Sequence, residues 1–406
     1  MALPRVIINL ENGALSSVNA QDDAVCGLVA SGVAVVSGDD TLFSLSTAYL
    51  LTKLSDLDAL GITSEDDDAN ATIYKAVDEF YSEAPEGTKL WLLAAAASVS
   101  AEDLMDVDEA NYAKKLIEAA NGEIKFLMLA KADPALYEPT IADGLDADTY
   151  AAAAKAQELA EWATTNKFAP LFVILEGRHY TGVASALDDL TEGAYDRVCI
   201  LIGDTISGST GAAVGLLAGR LASIPVQRSI SRVKSGALPP TTMYIASVAA
   251  ENGSPDIISD AGFISFRTFV GKTGYYFTDD KLATEPTGDY ALIPRRRTID
   301  KAYRIAYMTL VNELGDEVPI NESGQIPHAI AKSIQNSVET AIENDMTANG
   351  NLGTDPDNPN DTGVECFIDH SQNIVSTSKL VVKIRVRPYA YAKYIDVYLG
   401  FKTTNV

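Results

Sequence analysis

The sequence of 406 residues is poor in cysteine and histidine. Its three cysteines, Cys26, Cys199 and Cys366, are far apart and form neither a CxxC pair nor a Cys/His cluster. This spacing supports neither a disulfide framework nor a zinc site. It favours a reducing cytoplasm, where we expect the thiols to act as small buried apolar groups.

The three histidines, His179, His328 and His370, do not belong to any motif that supports catalysis. None stands near a GxSxG elbow, an HExxH pair or a CxxC pair. Because nucleophilic and metal-assisted catalysis depend on such constellations, we expect no catalytic residue, no metal and no other cofactor. The sequence therefore predicts a protein that is not an enzyme.

Long apolar runs are also absent, and basic residues are few. No run of eighteen apolar residues occurs, so we expect no membrane insertion. The segment MALPRVIINLENG lacks a basic region followed by an apolar core, so we expect no secretory signal. The 31 Lys and Arg residues against 56 Asp and Glu give a net charge of −25, which argues against nucleic acid as a direct partner.

The charge is distributed unevenly along the chain. Residues 1–219 contain 12 basic and 35 acidic side chains, whereas residues 220–304 contain 12 and 8. Residues 379–406 are also basic, with 6 against 1. Such segregation is compatible with a solvation pattern, and equally with self-association of a basic surface with an acidic one.

The apolar pattern predicts an α/β protein with a mostly parallel sheet. Uninterrupted apolar runs alternate with helical segments, as expected for strands buried on both faces. The predicted strands are Leu90–Ala97, Ile124–Ala130, Pro170–Leu175 and Val198–Ile202. The predicted helices between and after them are Asn111–Ala120, Thr149–Thr165, Val183–Leu190 and Gly211–Leu221. Loops and short strands follow Pro225, and then two helices at Thr298–Asn312 and Ala329–Asp345, which predict an α+β domain.

Both ends of the chain show the alternation of a half-buried strand. One strand is predicted near the N-terminus and two near the C-terminus, separated by Pro388. We expect these strands to pair partly with another subunit. Their apolar positions are Val6, Ile8, Leu10, Leu380, Val382, Ile384, Val386, Ile395, Val397 and Leu399.

Two loops resemble ligand sites without matching one. Val198–Gly211 has the strand, glycine-rich turn and helix of a phosphate cradle, but it lacks the GxxxxGK[ST] spacing and its lysine. The acidic residues of 349–363 are interrupted by Pro356 and Pro359, which does not fit a calcium loop. The alternative function is an α/β ligand-binding protein or enzyme that uses the Gly203–Gly211 loop.

Several motifs occur in an order that is found in one known family. A small-residue helix leads through an Arg-containing turn to a Pro-flanked loop in 212–238, and Phe80-Tyr81 ends an earlier helix. A Gly-aromatic strand leads through Lys281-Leu282-Ala283 to a double arginine in 271–299, and Arg387-Pro388 lies in the closing strand pair. This order resembles the tail sheath proteins of contractile phages and related contractile injection systems. Ser82–Gly87 and Tyr275-Tyr276-Phe277 depart from the family pattern and indicate a divergent branch.

The resemblance implies a structural subunit that polymerises as stacked six-fold rings around an inner tail tube. It implies that the partners are further copies of the same chain, the inner tail tube protein, and the baseplate and tail terminator proteins. It also implies location in a virion tail assembled in the bacterial host cytoplasm. Contraction would drive the tube through a target envelope.

The predicted organisation has five parts. We assign residues 1–20 and 379–406 to arm strands, 21–87 to a sheath-like N-terminal portion, 88–224 to an outer α/β domain and 225–378 to a tube-proximal α+β domain. The arm strands complete the sheet of the last domain in this scheme. The predicted basic contact surface comprises Arg220, Arg228, Arg232, Lys234, Arg295, Arg296 and Arg297.

Overall fold

A computed structural model of the chain describes residues 22–64 and 70–401. Two compact units divide between Tyr307 and Met308. The strands are β1 (Cys26–Ser31), β2 (Val35–Ser37), β3 (Asp40–Phe43), β4 (Ala48–Leu51), β5 (Leu90–Ala95), β6 (Phe126–Ala130), β7 (Ile141–Ala142), β8 (Leu145–Asp146), β9 (Phe172–Glu176), β10 (Ala194–Tyr195), β11 (Val198–Leu201), β12 (Tyr244–Ile245), β13 (Val248–Ala249), β14 (Phe266–Arg267), β15 (Tyr276–Phe277), β16 (Ala283–Thr284), β17 (Val364–Ile368) and β18 (Val382–Val386). The α-helices are α1 (Ala71–Glu83), α2 (Ala101–Met105), α3 (Ala113–Ala119), α4 (Ala147–Asn166), α5 (Val214–Ser223), α6 (Pro255–Asp260), α7 (Ile293–Leu310), α8 (His328–Ile342) and α9 (Ile374–Thr377).

A six-stranded sheet forms the centre of the first unit, with the strand order β11-β9-β6-β1-β5-β4. Every neighbouring pair is parallel except β4 and β5, which are antiparallel. All residues of β1, β6, β9 and β11 are buried. Burial of every side chain requires helices on both faces of the sheet, and it explains why these strands read as continuous apolar runs. The predicted α/β fold class with a mostly parallel sheet is confirmed.

Capping side chains set the beginnings of two helices that pack against each other, α2 and α4. The Ser100 hydroxyl accepts the N–H of Asp103 at the start of α2, and the Asp146 carboxylate accepts the N–H of Asp148 at the start of α4. The Asp148 carboxylate in turn accepts the N–H groups of Ala101 and Glu102, at 2.7 and 3.0 Å. These bonds satisfy N–H groups that have no partner inside a helix, which explains where both helices begin.

Helices α1 and α5 cross at very short distance because two glycines of α5 face α1. A Cβ added at Gly215 would lie 2.4 Å from the carbonyl oxygen of Ala76, and one at Gly219 would lie 2.4 Å from that of Phe80. Real Cβ atoms do not approach a carbonyl oxygen this closely, so only glycine permits this contact. The four-residue spacing of the two glycines places both on one side of α5.

One predicted helix is corrected by the structure. Val183–Leu190 is not a continuous helix; it contains a short 3-10 turn at Ala184–Ala186 and leads into another at Leu190–Glu192. The Asp189 carboxylate accepts the N–H of Thr191, and such a local bond competes with helix formation. Strands from both sides of residue 87 belong to the central sheet, and the two compact units divide after Tyr307. The predicted boundaries at 87 and 224 concern roles in an assembly, and they stay a prediction.

The second unit is built from α8 and a β17–β18 hairpin. Ile326, Ala331, Ile334 and Ile368 form one apolar cluster of this unit, and Val338, Ile342 and Met346 are also fully buried. The Gln335 amide donates to the Cys366 carbonyl at 2.8 Å, which fixes the helix against the strand. Within residues 22–64 and 70–401, no helix combines the length and the apolar character required to cross a bilayer.

Candidate functional site: the C-terminal strand edge and the polar end of the sheet

The predicted strand over Leu380–Val386 is present as β18. It pairs antiparallel with β17, with Val364 opposite Val386 and Ile368 opposite Val382. Val382, Ile384 and Val386 are half-buried, whereas Lys383 and Arg385 between them are exposed, as the alternation predicts. Leu380 and Val382 pack against the apolar core of the second unit. The partner within the chain is therefore β17, a strand that the sequence did not predict.

The β17–β18 hairpin has only two strands among the residues that the structure describes. A two-stranded ribbon is marginally stable alone, and here α8 covers one face. The outward face pairs Glu365 with Arg385 and exposes half of the Phe367 side chain. Among the described residues the outer edge of β18 has no neighbouring strand, so its backbone N–H and C=O groups can accept one. The outer edge of β17 is covered by α8, because the Cys366 N–H and C=O bond to the Glu339 and Gln335 side chains.

The tail after β18 carries the most exposed apolar side chains of the second unit. Its start is fixed by bonds from the Gly353 N–H to the Arg387 carbonyl and from the Arg387 N–H to the Gly363 carbonyl. Beyond this point the described tail forms no β-ladder. The exposed fractions are 78% for Ile395, 77% for Val397, 95% for Leu399 and 103% for Phe401.

The second predicted C-terminal strand, with Ile395, Val397 and Leu399, is thus not a strand in the isolated chain. The physical reason is that a strand needs a hydrogen-bonding neighbour, and none of the described residues provides one to this segment. The first predicted arm strand, with Val6, Ile8 and Leu10, lies outside the described residues. The assignment of all these positions to contacts between subunits stays a prediction.

Arg220, one of the residues predicted for a basic surface, is instead buried inside the first unit, with 5% of it exposed. Its Nε and Nη2 atoms donate to the two carboxylate oxygens of Glu83, each at 2.7 Å. Its Nη1 and Nη2 also donate to the carbonyls of Gly236 and Ala237, at 3.2 and 3.1 Å. This bidentate pair joins α5 to α1 and holds the following loop.

Arg296 and Arg297 are also buried. Arg296 Nη2 donates to Asp300 Oδ1 at 2.6 Å, and its guanidinium lies 4.3 Å from the ring centre of Tyr290. Arg297 Nη2 donates to the carbonyls at the end of α5, and burial lowers the pKa of its guanidinium to about 10. Arg220, Arg296 and Arg297 therefore do not contribute to an exposed basic surface. Arg228 and Arg295 are half-buried, and Arg232 and Lys234 are exposed.

The glycine-rich loop after β11 faces a carboxylate supplied by the chain itself. Glu176, at the end of β9, accepts the Ala212 N–H at 3.1 Å with Oε1, and with Oε2 it accepts the Lys131 N–H at 2.7 Å. Arg178 Nη1 donates to the same Oε2 at 3.1 Å. A Cβ at Gly211 would lie 2.6 Å from Oε1, so this glycine permits the approach. The position before α5 where a phosphate would bind is occupied by Glu176.

A crevice of about 820 Å³ lies between α1 and this loop, and a second group of charges lines it. Lys75 Nζ contacts Glu79 Oε1 at 2.9 Å and Asp204 Oδ1 at 2.8 Å, and the Thr205 hydroxyl donates to Glu79 Oε1 at 2.9 Å. Burial raises the pKa of Glu79 to about 7, and the neighbouring Lys75 opposes this shift. Lys75 bridges the two carboxylates, so these groups form a structural network that links α1 to the loop after β11.

The acidic loop uses its carboxylates for its own turns. Asp361 Oδ2 accepts the Asp355 N–H at 2.5 Å, Asp355 Oδ1 accepts the Asp357 N–H, and Asp361 pairs with Arg387. Internal bonds of this kind account for the composition that resembled a calcium loop. Within the part of the chain that the structure describes, no group of three His, Cys, Asp or Glu residues is placed to hold a metal ion.

Sequence reasoning missed three features of this site. Glu176 was visible as a carboxylate directly after an apolar strand, and a polar residue at the carboxyl end of a parallel strand is a known signal. The Gly215 and Gly219 pair was visible as a four-residue glycine repeat within the α5 sequence. The pairing of Arg220 with Glu83 gave no local signal, because 137 positions separate the two residues.

The fold is that of the sheath proteins of contractile injection systems. A chain of the anti-feeding prophage (AFP) baseplate structure aligns with a TM-score of 0.62 and 16% identity over 99% of this chain and 100% of that chain. The contracted PVC sheath complex of an extracellular contractile injection system aligns with a TM-score of 0.60 and 14% identity over 98% of both chains. The sheath tail protein Lin1278 from Listeria innocua aligns with a TM-score of 0.52 and 8% identity over 89% and 91% of the two chains.

The chain belongs to the DUF2586 family. Its N-terminal domain model matches residues 3–281, and its C-terminal domain model matches residues 289–405. No curated protein matches the sequence. The predicted resemblance to a divergent sheath protein is confirmed in the fold.

Proposed function

We propose that the protein is a structural subunit of a contractile tail sheath and that it catalyses no reaction. Copies polymerise as stacked six-fold rings around an inner tail tube, and contraction drives the tube through a target envelope. The observation that carries this proposal is the exposed apolar tail of a chain whose whole length has a sheath fold.

The tail supplies what assembly by strand exchange requires. Alternate apolar side chains at Ile395, Val397, Leu399 and Phe401 are exposed, and the outer edge of β18 has no neighbouring strand among the described residues. A strand from one subunit that adds to the hairpin of another would satisfy the backbone groups and cover these side chains. Backbone bonds depend little on the packing angle between subunits, so the link would survive a rotation of the rings.

The other roles follow from the same assembly. The inner tube protein, the baseplate and the terminator protein are the proposed partners, and the virion tail or an equivalent injection device is the proposed location. The subunit would assemble in the host cytoplasm, and no cofactor would be consumed. Contraction would run from a metastable lattice to one of lower free energy.

The test is a truncation that spares the folded hairpin. Deletion of residues 389–406 leaves β18 and its contacts with α8 in place, so the monomer should keep its circular dichroism spectrum and melting temperature. We expect it to form no rings or striated tubes in negative-stain electron micrographs under conditions in which the full chain forms them. Tubes from the truncated chain would contradict the role of the tail.

The alternation supplies a matched pair of variants for the same test. Ile395, Val397 and Leu399 replaced together by serine should abolish the tubes, because an inserted strand would lose its apolar side. Tyr394, Asp396 and Tyr398 replaced together by serine change the other side of the same segment and should leave tubes that sediment. Equal effects of the two triple variants would argue against strand insertion.

The alternative of a ligand-binding protein makes a separate prediction. With Glu176 at the start of α5, we expect no nucleotide to raise the melting temperature of the full chain. A clear stabilisation by any nucleotide in a thermal-shift screen would favour the alternative.

A further inference from the structure

We propose that the turn at Phe269–Lys272 and the basic side chains beside it form a knob that docks on the acidic surface of a second copy of this chain. We define the knob as residues 267–276 together with Arg232 and Lys234. The inference rests on the proposed polymer and adds to it a contact that does not use the C-terminal tail.

The turn is rigid and displays one apolar side chain. The N–H of Lys272 donates to the carbonyl of Phe269 at 3.1 Å, and Gly271 has a φ of +79°. This combination defines a turn that requires glycine in its third position and places Val270 in the second. The Val270 side chain is 108% exposed, the highest value among the large apolar residues described.

Aromatic contacts fix the turn on the body of the first unit. The Arg267 guanidinium lies 4.3 Å from the ring centre of Phe269, and that ring meets Tyr276 edge to face at 5.2 Å. Tyr276 is buried and belongs to β15, which pairs with β14 at the base of the hairpin. A turn held in this way loses little conformational entropy on binding, which favours its use as a contact element.

The surroundings of the turn are basic. The N–H of Leu238 donates to the Tyr275 carbonyl at 2.8 Å, so the loop that follows Arg232 and Lys234 lies against the β14–β15 hairpin. Arg232, Lys234, Arg267 and Lys272 are all exposed. In the described part of the chain none of the four forms an ion pair with an acidic side chain.

Charge complementarity identifies the occupant as a second copy. The chain carries a net charge of −25, and residues 1–219 contain 35 acidic against 12 basic side chains. A basic knob on such a chain is attracted to the acidic surface of its neighbour, and Val270 adds apolar contact at the centre of a polar rim. Because the knob and the acidic surface are different, the contact is heterologous, and contacts of this type generate rings or helical polymers.

The experiment measures the critical concentration for polymerisation of the full chain by sedimentation. We expect Val270→Ser and Lys272→Glu each to raise it by about tenfold, which corresponds to about 1.4 kcal/mol per contact. Leu136→Ser and Lys115→Glu are the matched controls, since Leu136 is 100% exposed and Lys115 is exposed on α3. The controls should stay within about twofold of the parent chain, and all four variants should keep its melting temperature.

The outcomes separate this inference from the proposed function. If the knob variants polymerise like the parent chain, the knob contact is overturned and the sheath function stands. If they polymerise normally and lose only the binding of an inner tube protein, the occupant is the tube and the second copy is overturned. If the parent chain forms no polymer under any condition, the proposed function and the knob contact both fail.

Discussion

Glu79 is a buried carboxylate whose charge bears on the stability of the first unit. It lies on α1 with 7% of the residue exposed, and it contacts Lys75 and Thr205. Its pKa is raised from 4.5 to about 7, chiefly because burial removes water from the charged form. A carboxyl group with a raised pKa binds its proton more tightly in the folded chain. Its contribution to stability therefore falls as the pH rises from about 4.5 through about 7.

The variant Glu79→Gln should lose this part of the pH dependence, because the amide does not titrate. Between pH 5 and pH 7.5 we expect the free energy of unfolding of the parent first unit to fall by roughly 1–3 kcal/mol more than that of the variant. Urea titrations at the two pH values measure the difference. Asp78→Asn, on the exposed side of the same helix, is the control and should follow the parent. Parallel profiles for the parent and Glu79→Gln would contradict the prediction.

The pair of Arg220 and Glu83 is the second residue-scale feature that we can test. Arg220→Met leaves the Glu83 carboxylate buried without its two donors, and we expect a loss of about 3–5 kcal/mol in the free energy of unfolding. The double variant Arg220→Met with Glu83→Leu removes both charges and should recover much of the loss. Urea unfolding of the parent, of Arg220→Met and Glu83→Leu separately, and of the double variant gives the coupling energy, and additive losses would show that the pair is not coupled.

Helix α5 shows how packing can outweigh intrinsic propensity at the scale of an element. Alanine is about 0.5–1 kcal/mol better than glycine inside an isolated helix. At Gly219 the added methyl group would lie 2.4 Å from the Phe80 carbonyl oxygen, so we expect Gly219→Ala to destabilise the first unit by roughly 1–3 kcal/mol instead. The melting temperature measures the effect. Gly400→Ala is the control, since nothing lies within 4 Å of a Cβ at that position. A stabilised Gly219→Ala would show that the two helices separate easily.

Four strands of the central sheet, β5, β6, β9 and β11, could be predicted from the sequence because they are nearly continuous apolar runs, whereas β1, which is also fully buried, was not predicted. Leu90–Ala95 and Phe172–Glu176 give continuous apolar runs that need no knowledge of their neighbours. β4 is an antiparallel edge strand of only four residues, and β17 mixes polar with apolar residues, so neither gives a long apolar run. The pairing of β18 with β17 could not be read from the chain, because alternation fixes the face of a strand and not its partner.

At the scale of the whole molecule, the two units have separate apolar cores of very different size. We expect two transitions in calorimetric unfolding of the chain. Ile342→Ala removes a fully buried side chain of α8 and should lower only the transition of the second unit, by about 2–5 kcal/mol in free energy. Ile200→Ala in β11 should lower only the other. A single cooperative transition shifted by both variants would show that the units unfold together.

The candidate site was only partly accessible from the sequence, since much of it depends on distant residues. The burial of Arg296 and Arg297 follows from contacts with Asp300 and with the end of α5, so charge counting overestimated the basic surface. The alternation at Ile395–Leu399 was visible, but its hydrogen-bonding partner is not present among the described residues. Under the proposed function that partner belongs to another subunit, which the sequence of one chain does not identify.

Glu176 has a consequence for how the chain responds to its surroundings. Doubly wound sheets often bind metabolites at this crevice, and their stability then changes with metabolite concentration through binding linkage. Here the anion at the start of α5 is the Glu176 carboxylate, which is covalently part of the chain and cannot diffuse away. If no nucleotide binds there, as we predict, the stability of the first unit does not depend on nucleotide concentration. In the proposed sheath, this carboxylate would stay in place after every diffusible ligand had been diluted away.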